Sequence, residues 1–556
     1  MGAIVSVRVD MVVDTKDVRD ALASVVAPAF ALWPQQRNLQ TGSSALKLAP
    51  SFHITTTIHN APEDLHDAVL RTLEFLKMDK LGRLVVGRGS GDATVVSRAR
   101  TLSSLTLSLS EGSEINSIAT EVRKALEDRD EAYTLHVPAD GSDATMTANT
   151  TLGLFRGLAT FSQMWYTNDE DTYTINAPFS IQDSPVYPYR GLLLDTARNF
   201  FPVSDIKRML DVMSWVKMSV LHWHVVDSQS FPLEIPGFIN ISRLGAYSPS
   251  SIYSTLDVED IVHYAGARGI DVLMELDNPG HTTIIHKAFP EHVACPEATP
   301  WATYASEPPA GQLRFALPGT ANFVADFLAA AARMSPSKYF STGGDELNTA
   351  CYDQDAPTQK QLNATGKTFS EALSDFITTT HGALVAQGKT PVVSEPLLNE
   401  TLVKVWISSE NVAAVVRKGF KVIHAASDYF YLDCGAGEWI GADPDANSWC
   451  DPFKSWQKSY SFDPTANLTD TEAALIQGGE HSLWGEQSGP ENVDSITWPR
   501  AASSAELFWS GPGGNGSTAL PRLHDVAYRM RTRGVKAIRV QPEWCALRPG
   551  KCDLTS

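Results

Sequence analysis

Two adjacent carboxylates, Asp345 and Glu346, follow the short apolar run 339–342 and two glycines, Gly343 and Gly344. A charge in the body of a buried strand is costly, so a β-like run closing in this pair puts both acids at a strand's rim. Neighbouring strand side chains point to opposite faces, but at a fraying end both can reach one pocket. A carboxylic acid beside a carboxylate can divide proton donation and charge stabilisation between them. Alone the pair says little, because Asp-Glu is commonest in solvated turns. The surrounding elements decide.

After residue 189 strand-like runs alternate with helical ones, the pattern of a parallel sheet. Strand candidates lie at 191–195, 220–226, 271–276, 339–342, 391–394, 403–407, 421–425 and 475–478. One helix between them starts at Ser204 as N-cap and sets Ile206, Met209, Leu210, Met213 and Val216 on one face. Repeated β/α units without a glycine-rich phosphate turn after the first strand predict a (β/α)8 barrel rather than a doubly wound sheet. The preceding part differs. Strand-like runs at 51–58, 104–109 and 132–137 and a helical stretch at 152–165 read as a smaller α+β domain. The expected division is an N-terminal segment 1–31, an α+β domain 32–183 and a barrel 184–556, with a Pro-containing linker at 182–188.

In a barrel, reactive groups come from the C-terminal strand ends. Here those ends carry Asp195 and Arg198; His222, Trp223, His224 and Asp227; Glu275, Asp277 and His281; Asp345 and Glu346; Trp406; Tyr431 and Asp433; then Glu480, Trp484 and Glu486. Carboxylates and Arg suit hydroxyl edges, and tryptophans suit the C–H faces of sugars. Any one of these aromatics could instead be core, and any one carboxylate a structural ion pair. A metal-dependent hydrolase is a rival reading, since His222 and His224 share one side of a strand. Such a site needs further ligands at the fifth and sixth ends, where Ser394, Glu395 and Trp406 stand. A sugar-binding barrel without catalysis is another rival.

The chain has 556 residues, enough for two domains, with 43% hydrophobic and 20% charged residues. A formal charge of −19 argues against nucleic acid or an anionic membrane as main partner. No apolar run is long enough to span a bilayer. Six cysteines, with no Cys-x-x-Cys pair, disfavour a zinc or redox motif. Sequons start at Asn149, Asn240, Asn363, Asn399, Asn467 and Asn515. Together they predict a secreted or vacuolar glycoprotein. Residues 21–31 resemble the end of a signal peptide with Ala29-Phe30-Ala31 as cleavage site, which would leave Leu32 first. Lys16, Asp17, Arg19 and Asp20 make that segment atypical, and a misplaced start codon would account for them.

The stretches at 189–202 (YRGLLLDTARNFFP), 221–232 (LHWHVVDSQSFP), 275–282 (ELDNPGHT), 343–346 (GGDE) and 483–486 (LWGE) resemble the family 20 glycoside hydrolases, the β-N-acetylhexosaminidases. Leu32-Trp33-Pro34 and the C-terminal Cys545 and Cys552 look most like fungal members. The resemblance implies a metal-free zincin-like domain before the barrel, and no cofactor. It implies hydrolysis of β-linked N-acetylhexosamine oligosaccharides, in which the substrate's 2-acetamido oxygen attacks the anomeric carbon, an exception to the two-carboxylate scheme. Glu346 would be the acid and then the base, protonated at the start through partial burial and a neighbouring anion. Asp345 would stay ionised and orient the acetamido N–H, Tyr431 would donate to its oxygen, and His281 with Asp227 would tune Glu346. Arg198, Glu486 and Asp433 would bind hydroxyls, and Trp406 and Trp484 would wall the sugar. The resemblance also implies the disulfides Cys295–Cys351, Cys434–Cys450 and Cys545–Cys552, and it suggests a homodimer. One departure stands out: Ser394 occupies a position where the family usually has Trp. Ser228 replaces the second acid of a usual Asp-Asp pair.

Overall fold

The computed structural model describes residues 31–168, 171–394 and 401–554. The signal-like stretch before Ala31, Glu395 and the Asn399 sequon therefore lie outside the described residues. The first domain is built on six strands: β1 (Asn38–Thr56), β2 (Arg100–Leu109), β3 (Tyr133–Val137), β4 (Ala144–Ala148), β5 (Tyr166–Asn168) and β6 (Asp171–Asp183). They are ordered β1-β2-β4-β3-β6-β5, with β1 also pairing β6. Leu105, Leu107, Leu135, Met146 and Ile181 form its buried face. Helices Glu63–Met78 and Thr151–Gln163 cover that face. The second begins where the Thr150 side chain accepts from Gly153 N–H, and it is buried almost all round. It is wedged between sheet and barrel, which is why it lacks a polar face.

The second domain is a closed barrel of eight parallel strands. In chain order these are β7 (Tyr189–Asp195), β8 (Val220–Val226) and β9 (Asp271–Leu276), then β12 (Tyr339–Ser341), β13 (Thr390–Val393), β14 (Leu402–Val405), β15 (Lys421–His424) and β16 (Ile476–Leu483). A two-stranded ribbon, β10 (Val293–Ala294) with β11 (Gln312–Leu313), lies within the long β9–β12 connection. Closure occurs between β16 and β7, where Gly478 sits opposite Tyr189. A Cβ on Gly478 would lie 1.9 Å from Tyr189 O, and its φ of +131° is foreign to other residues, so only glycine fits.

All eight expected strands are present, but two local readings are corrected. β16 extends to Leu483, placing Glu480 inside the barrel instead of after its last strand. The helix expected to start at Ser204 runs Val203–Trp215 with Pro202 as N-cap and no capping side chain. The proline, fixed at φ −56°, supplies the entry geometry and its carbonyl accepts the first N–H groups. The three disulfides join the expected pairs, with Cα–Cα separations of 5.9, 5.4 and 5.8 Å. The described sequon residues Asn149, Asn240, Asn363, Asn467 and Asn515 are all exposed. Among the described residues no helix is long and apolar enough to cross a membrane.

Buried ion pairs lock the two domains together. Glu131 Oε2 accepts from Arg156 Nε and Arg190 Nη2, each at 2.6 Å, and Arg190 belongs to β7. Lys217 Nζ lies 3.0 Å from Asp183 Oδ2. Burial alone would raise the Glu131 carboxyl, but Arg190 and Arg156 hold it down at about 2. A depressed folded pKa stabilises the fold above the unfolded value and loses that contribution as pH falls through the folded one. Glu131 therefore contributes roughly 3 kcal/mol that disappears between about pH 4.5 and pH 2. Glu131→Gln should lower the urea midpoint at pH 7 by a stability change of about 3–5 kcal/mol, because two buried cations lose their partner. The variant should also lose less stability than wild type across that acid window. An unchanged midpoint would show the triad to be dispensable.

Candidate active site

A cleft of about 410 Å³ opens at the C-terminal ends of the barrel strands. Its geometry starts from charges inside the barrel, where the sequence reading had judged them too expensive. Glu275 on β9 accepts from His222 Nε2 at 2.9 Å and from His224 Nδ1 at 2.6 Å. Ser341 Oγ also donates to Glu275, and Lys404 Nζ lies 3.7 Å away. His222 Nδ1 bonds Glu480 Oε1 at 2.9 Å, and Tyr189 donates its hydroxyl to Glu480 Oε2 at 2.5 Å. Upward, His224 Nε2 reaches Asp227 Oδ2 at 2.9 Å, and Asp227 Oδ1 reaches His281 Nδ1 at 3.2 Å. His281 Nε2 is 3.4 Å from Glu346 Oε2. One chain of polar contacts thus runs from the barrel floor to the acid pair.

Burial disfavours an imidazolium, yet flanking carboxylates reverse the balance. His224 rises to about 10 through Asp227 and Glu275, and His222 is raised by Glu480 and Glu275. Both nitrogens of each ring are occupied by these acids, so neither ring has a lone pair aimed at a metal. Asp227, His281 and Glu307 also converge closely enough to hold an ion. Arg198 stands among them, bonded to Glu307 and 3.1 Å from Asp227 Oδ2, and a fixed guanidinium opposes a cation there.

The acid pair is positioned by the β12–β13 register continuing past the strands. Thr342 N–H donates to Val392 O at 3.0 Å and Ser394 N–H to Gly343 O at 2.9 Å. Gly344 N–H donates to Asp277 Oδ1 at 2.9 Å. A Cβ on Gly343, at φ +57°, would lie 2.3 Å from Asp277 Cγ, so the carboxyl occupies the space a side chain would need. Glu346 and His281 themselves sit at φ +56° and +55°, left-handed conformations that non-glycine residues adopt at a cost of about 1–3 kcal/mol. The rest of the rim is tied to β7. Asp195 Oδ2 accepts from Gly485 N–H at 2.9 Å and from Arg198 Nη1 at 3.2 Å, which places Trp484 and Glu486 beside Arg198. The guanidinium lies 5.1 Å over the Trp484 ring. Tyr431, held by a bridge to Ser482, is buried between Trp484 and Trp449, and Trp406 meets Trp449 edge-on.

The cleft therefore gathers Arg198, Asp227, His281, Asp345, Glu346, Trp406, Tyr431, Asp433, Trp484 and Glu486, every side chain the sequence proposed for it. It also contains residues the sequence reading missed. Glu307, from the β9–β12 connection, accepts from Arg198 Nε at 3.1 Å and Gln229 Nε2 at 3.2 Å. Trp439 and Trp449 come from the loop closed by Cys434–Cys450. Only the cysteine next to Trp449 hinted that this loop folds back over the site.

A family model described as "Glycosyl hydrolase family 20, catalytic domain" matches residues 187–512, and one described as "beta-acetyl hexosaminidase like" matches 32–164. The chain belongs to glycosyl hydrolase family 20. It is 35% identical to a beta-hexosaminidase of Arthroderma benhamiae, over 76% of this chain and 74% of that one. It is 34% identical to a chitooligosaccharidolytic beta-N-acetylglucosaminidase of Bombyx mori, over 78% and 76%. Its fold matches the chitobiase structure of Flavobacterium johnsoniae with TM-score 0.73 at 25% identity, covering 91% of this chain and 73% of that one.

In this family 20 site the pKa shifts of the acid pair run opposite to the expected directions. Burial raises Glu346, but the hydrogen bond and charge of His281, with Arg198, bring it below the ordinary range. Asp345 is instead raised, mainly by burial, with Lys404 opposing. The neighbouring anion expected to lift Glu346 acts elsewhere. Burial and the Asp345 charge push Asp277 well above the usual carboxylate range, a shift that favours a proton on Asp277 beside an ionised Asp345. Burial also lifts Asp433 to about 7 and Glu486 to about 8. Asp277→Asn mimics the neutral acid and keeps an acceptor for Gly344. It should leave kcat/KM within about tenfold of wild type, one pKa unit of interaction. A loss of several orders of magnitude would show that Asp277 works as an anion.

Proposed function

We propose that this glycoside hydrolase is an exo-acting β-N-acetylhexosaminidase that releases terminal N-acetylglucosamine or N-acetylgalactosamine by substrate-assisted, retaining hydrolysis. The observation that carries the reading is the buried Asp345 next to the Glu346–His281–Asp227 chain, inside a cleft walled by Trp406, Tyr431 and Trp484. The names of the curated relatives support the same substrate class.

In the first step the 2-acetamido oxygen bonds to C1 as the bond from C1 to the aglycone oxygen breaks. Glu346 gives its proton to that oxygen, and Asp345 accepts the amide N–H and balances the charge growing on the oxazolinium. Tyr431 donates to the acyl oxygen. Water then attacks C1, Glu346 takes its proton, and the acetamido group is restored. A sugar filling the cleft desolvates Glu346 and raises its pKa, which counters the depression caused by His281. The long His281–Glu346 contact of 3.4 Å suits a donor that must allow the acid to part with and regain a proton. Arg198, Asp433 and Glu486 face the sugar's hydroxyls, at the end of the cleft that would receive a terminal residue. The exposed sequons and three disulfides support placing the protein outside the cytosol.

The test is an aryl-glycoside comparison. The N-acetylglucosaminide should be cleaved and the glucoside, which has no 2-acylamino nucleophile, should not. Glu346→Gln should lower kcat by about 10²–10⁴ while preserving sugar binding. Asp345→Asn should also lower kcat and weaken thiazoline inhibitors that imitate the intermediate. Normal turnover by Asp345→Asn would reject the mechanism, and equal cleavage of the glucoside would reject the substrate class.

A further inference from the structure

Asp345 lines the cleft, and two atoms are buried without a hydrogen-bond partner where its segment meets the end of β13, Asp345 Oδ1 and Ser394 Oγ. Both residues are only 8% exposed. Their segments are fixed side by side, because Ser394 N–H donates to Gly343 O at 2.9 Å. The serine hydroxyl is near enough to pull the Asp345 carboxyl down against burial, yet the two do not close a hydrogen bond. A buried hydroxyl offers one donor and two acceptor sites, and leaving it unpaired is costly. Asp345 has a use for its free oxygen, the substrate's amide N–H. Ser394 has none, because an acetyl group ends in a methyl that neither donates nor accepts.

We propose that Ser394 determines which N-acyl group the site prefers, and that it favours 2-acylamino sugars whose acyl chain carries a hydroxyl beyond the carbonyl, N-glycolyl being the smallest. The inference rests on the substrate-assisted reading above. With Asp345 holding the amide N–H, the acyl chain extends beside residue 345, whose segment is bonded to that of Ser394. A glycolyl hydroxyl there adds one donor and one acceptor, and pairs with Ser394 Oγ. The reaction is otherwise unchanged. The acyl carbonyl oxygen still bonds to C1, the aglycone leaves with the Glu346 proton, and water reopens the ring.

The experiment compares kcat/KM for the 4-nitrophenyl β-glycosides of N-acetylglucosamine and N-glycolylglucosamine, with the full chain and with Ser394→Ala. The glycolyl-to-acetyl ratio should exceed one in the native protein. It should fall by about tenfold in Ser394→Ala, the effect of losing one buried hydrogen bond. Competitive inhibition of the native protein by the two free sugars reads the same preference in ground-state binding, without a variant. Cleavage of the acetyl glycoside with a ratio well below one, or a ratio unmoved by Ser394→Ala, would overturn this inference alone. No cleavage of either glycoside would overturn the functional reading, and this inference with it.

Discussion

Glu275 is the residue on which the site depends. It lies at the centre of the barrel, fully buried, with two imidazoles, a serine hydroxyl and an ammonium around it. An isolated carboxylate there would be prohibitively costly, so each donor must be present for the anion to exist. His224, made cationic by that anion, then holds Asp227, and Asp227 holds His281 against Glu346. The acid's orientation is thus set by electrostatics relayed from β9, the neighbour of β12, and from β8 beyond it, rather than by local packing. A barrel interior filled with aliphatic layers would be simpler to stabilise, but it could not transmit position to the rim in this way.

The same logic extends outward. Arg198 faces Asp195, Asp227 and Glu307, three carboxylates from three different segments, and stacks over Trp484. Its fork can satisfy several acceptors at once, which a lysine could not do. Asp195 in turn secures Gly485, joining the first strand's end to the loop after the last and completing the ring of functional groups. The left-handed backbone at Glu346 and His281 is held because both side chains are anchored into this network. The smaller domain supports the barrel from its side through Glu131, Arg156 and Arg190, far from the chemistry.

Much of this was legible in the residues. The barrel strands are apolar runs whose helices carry helical periodicity, and each gives a local signal. The site residues were legible because they cluster after those runs. In the first domain β1 is legible only at its end, and β4, β5, β6 and the helix Glu63–Met78 are not. Much of β1 lies on partly exposed surface, so its burial pattern is irregular and leaves a weak alternation. Glu480 was misplaced because a polar run, Gly478 to Ser482, reads as a loop unless its interior partners are known. Glu307 left no local mark and Trp449 only its neighbour Cys450, since their connections gain meaning only by folding back over the cleft.

Sequence alone determined the residue types of the acid pair, the succession of eight strands, and the chemistry that Asp, Glu, Tyr and Trp together can perform. It could do so because hydrophobic periodicity and motif spacing are encoded between near neighbours. Tertiary structure decided the direction in which each acid's pKa moves. The pKa of Glu346, Asp345 and Asp277 follows from burial first and then from charges on other segments of the barrel rim and interior: His281 for Glu346, Lys404 for Asp345 and Asp345 for Asp277. Those energies depend on distance in space and on the exclusion of water, and neither exists until the barrel closes.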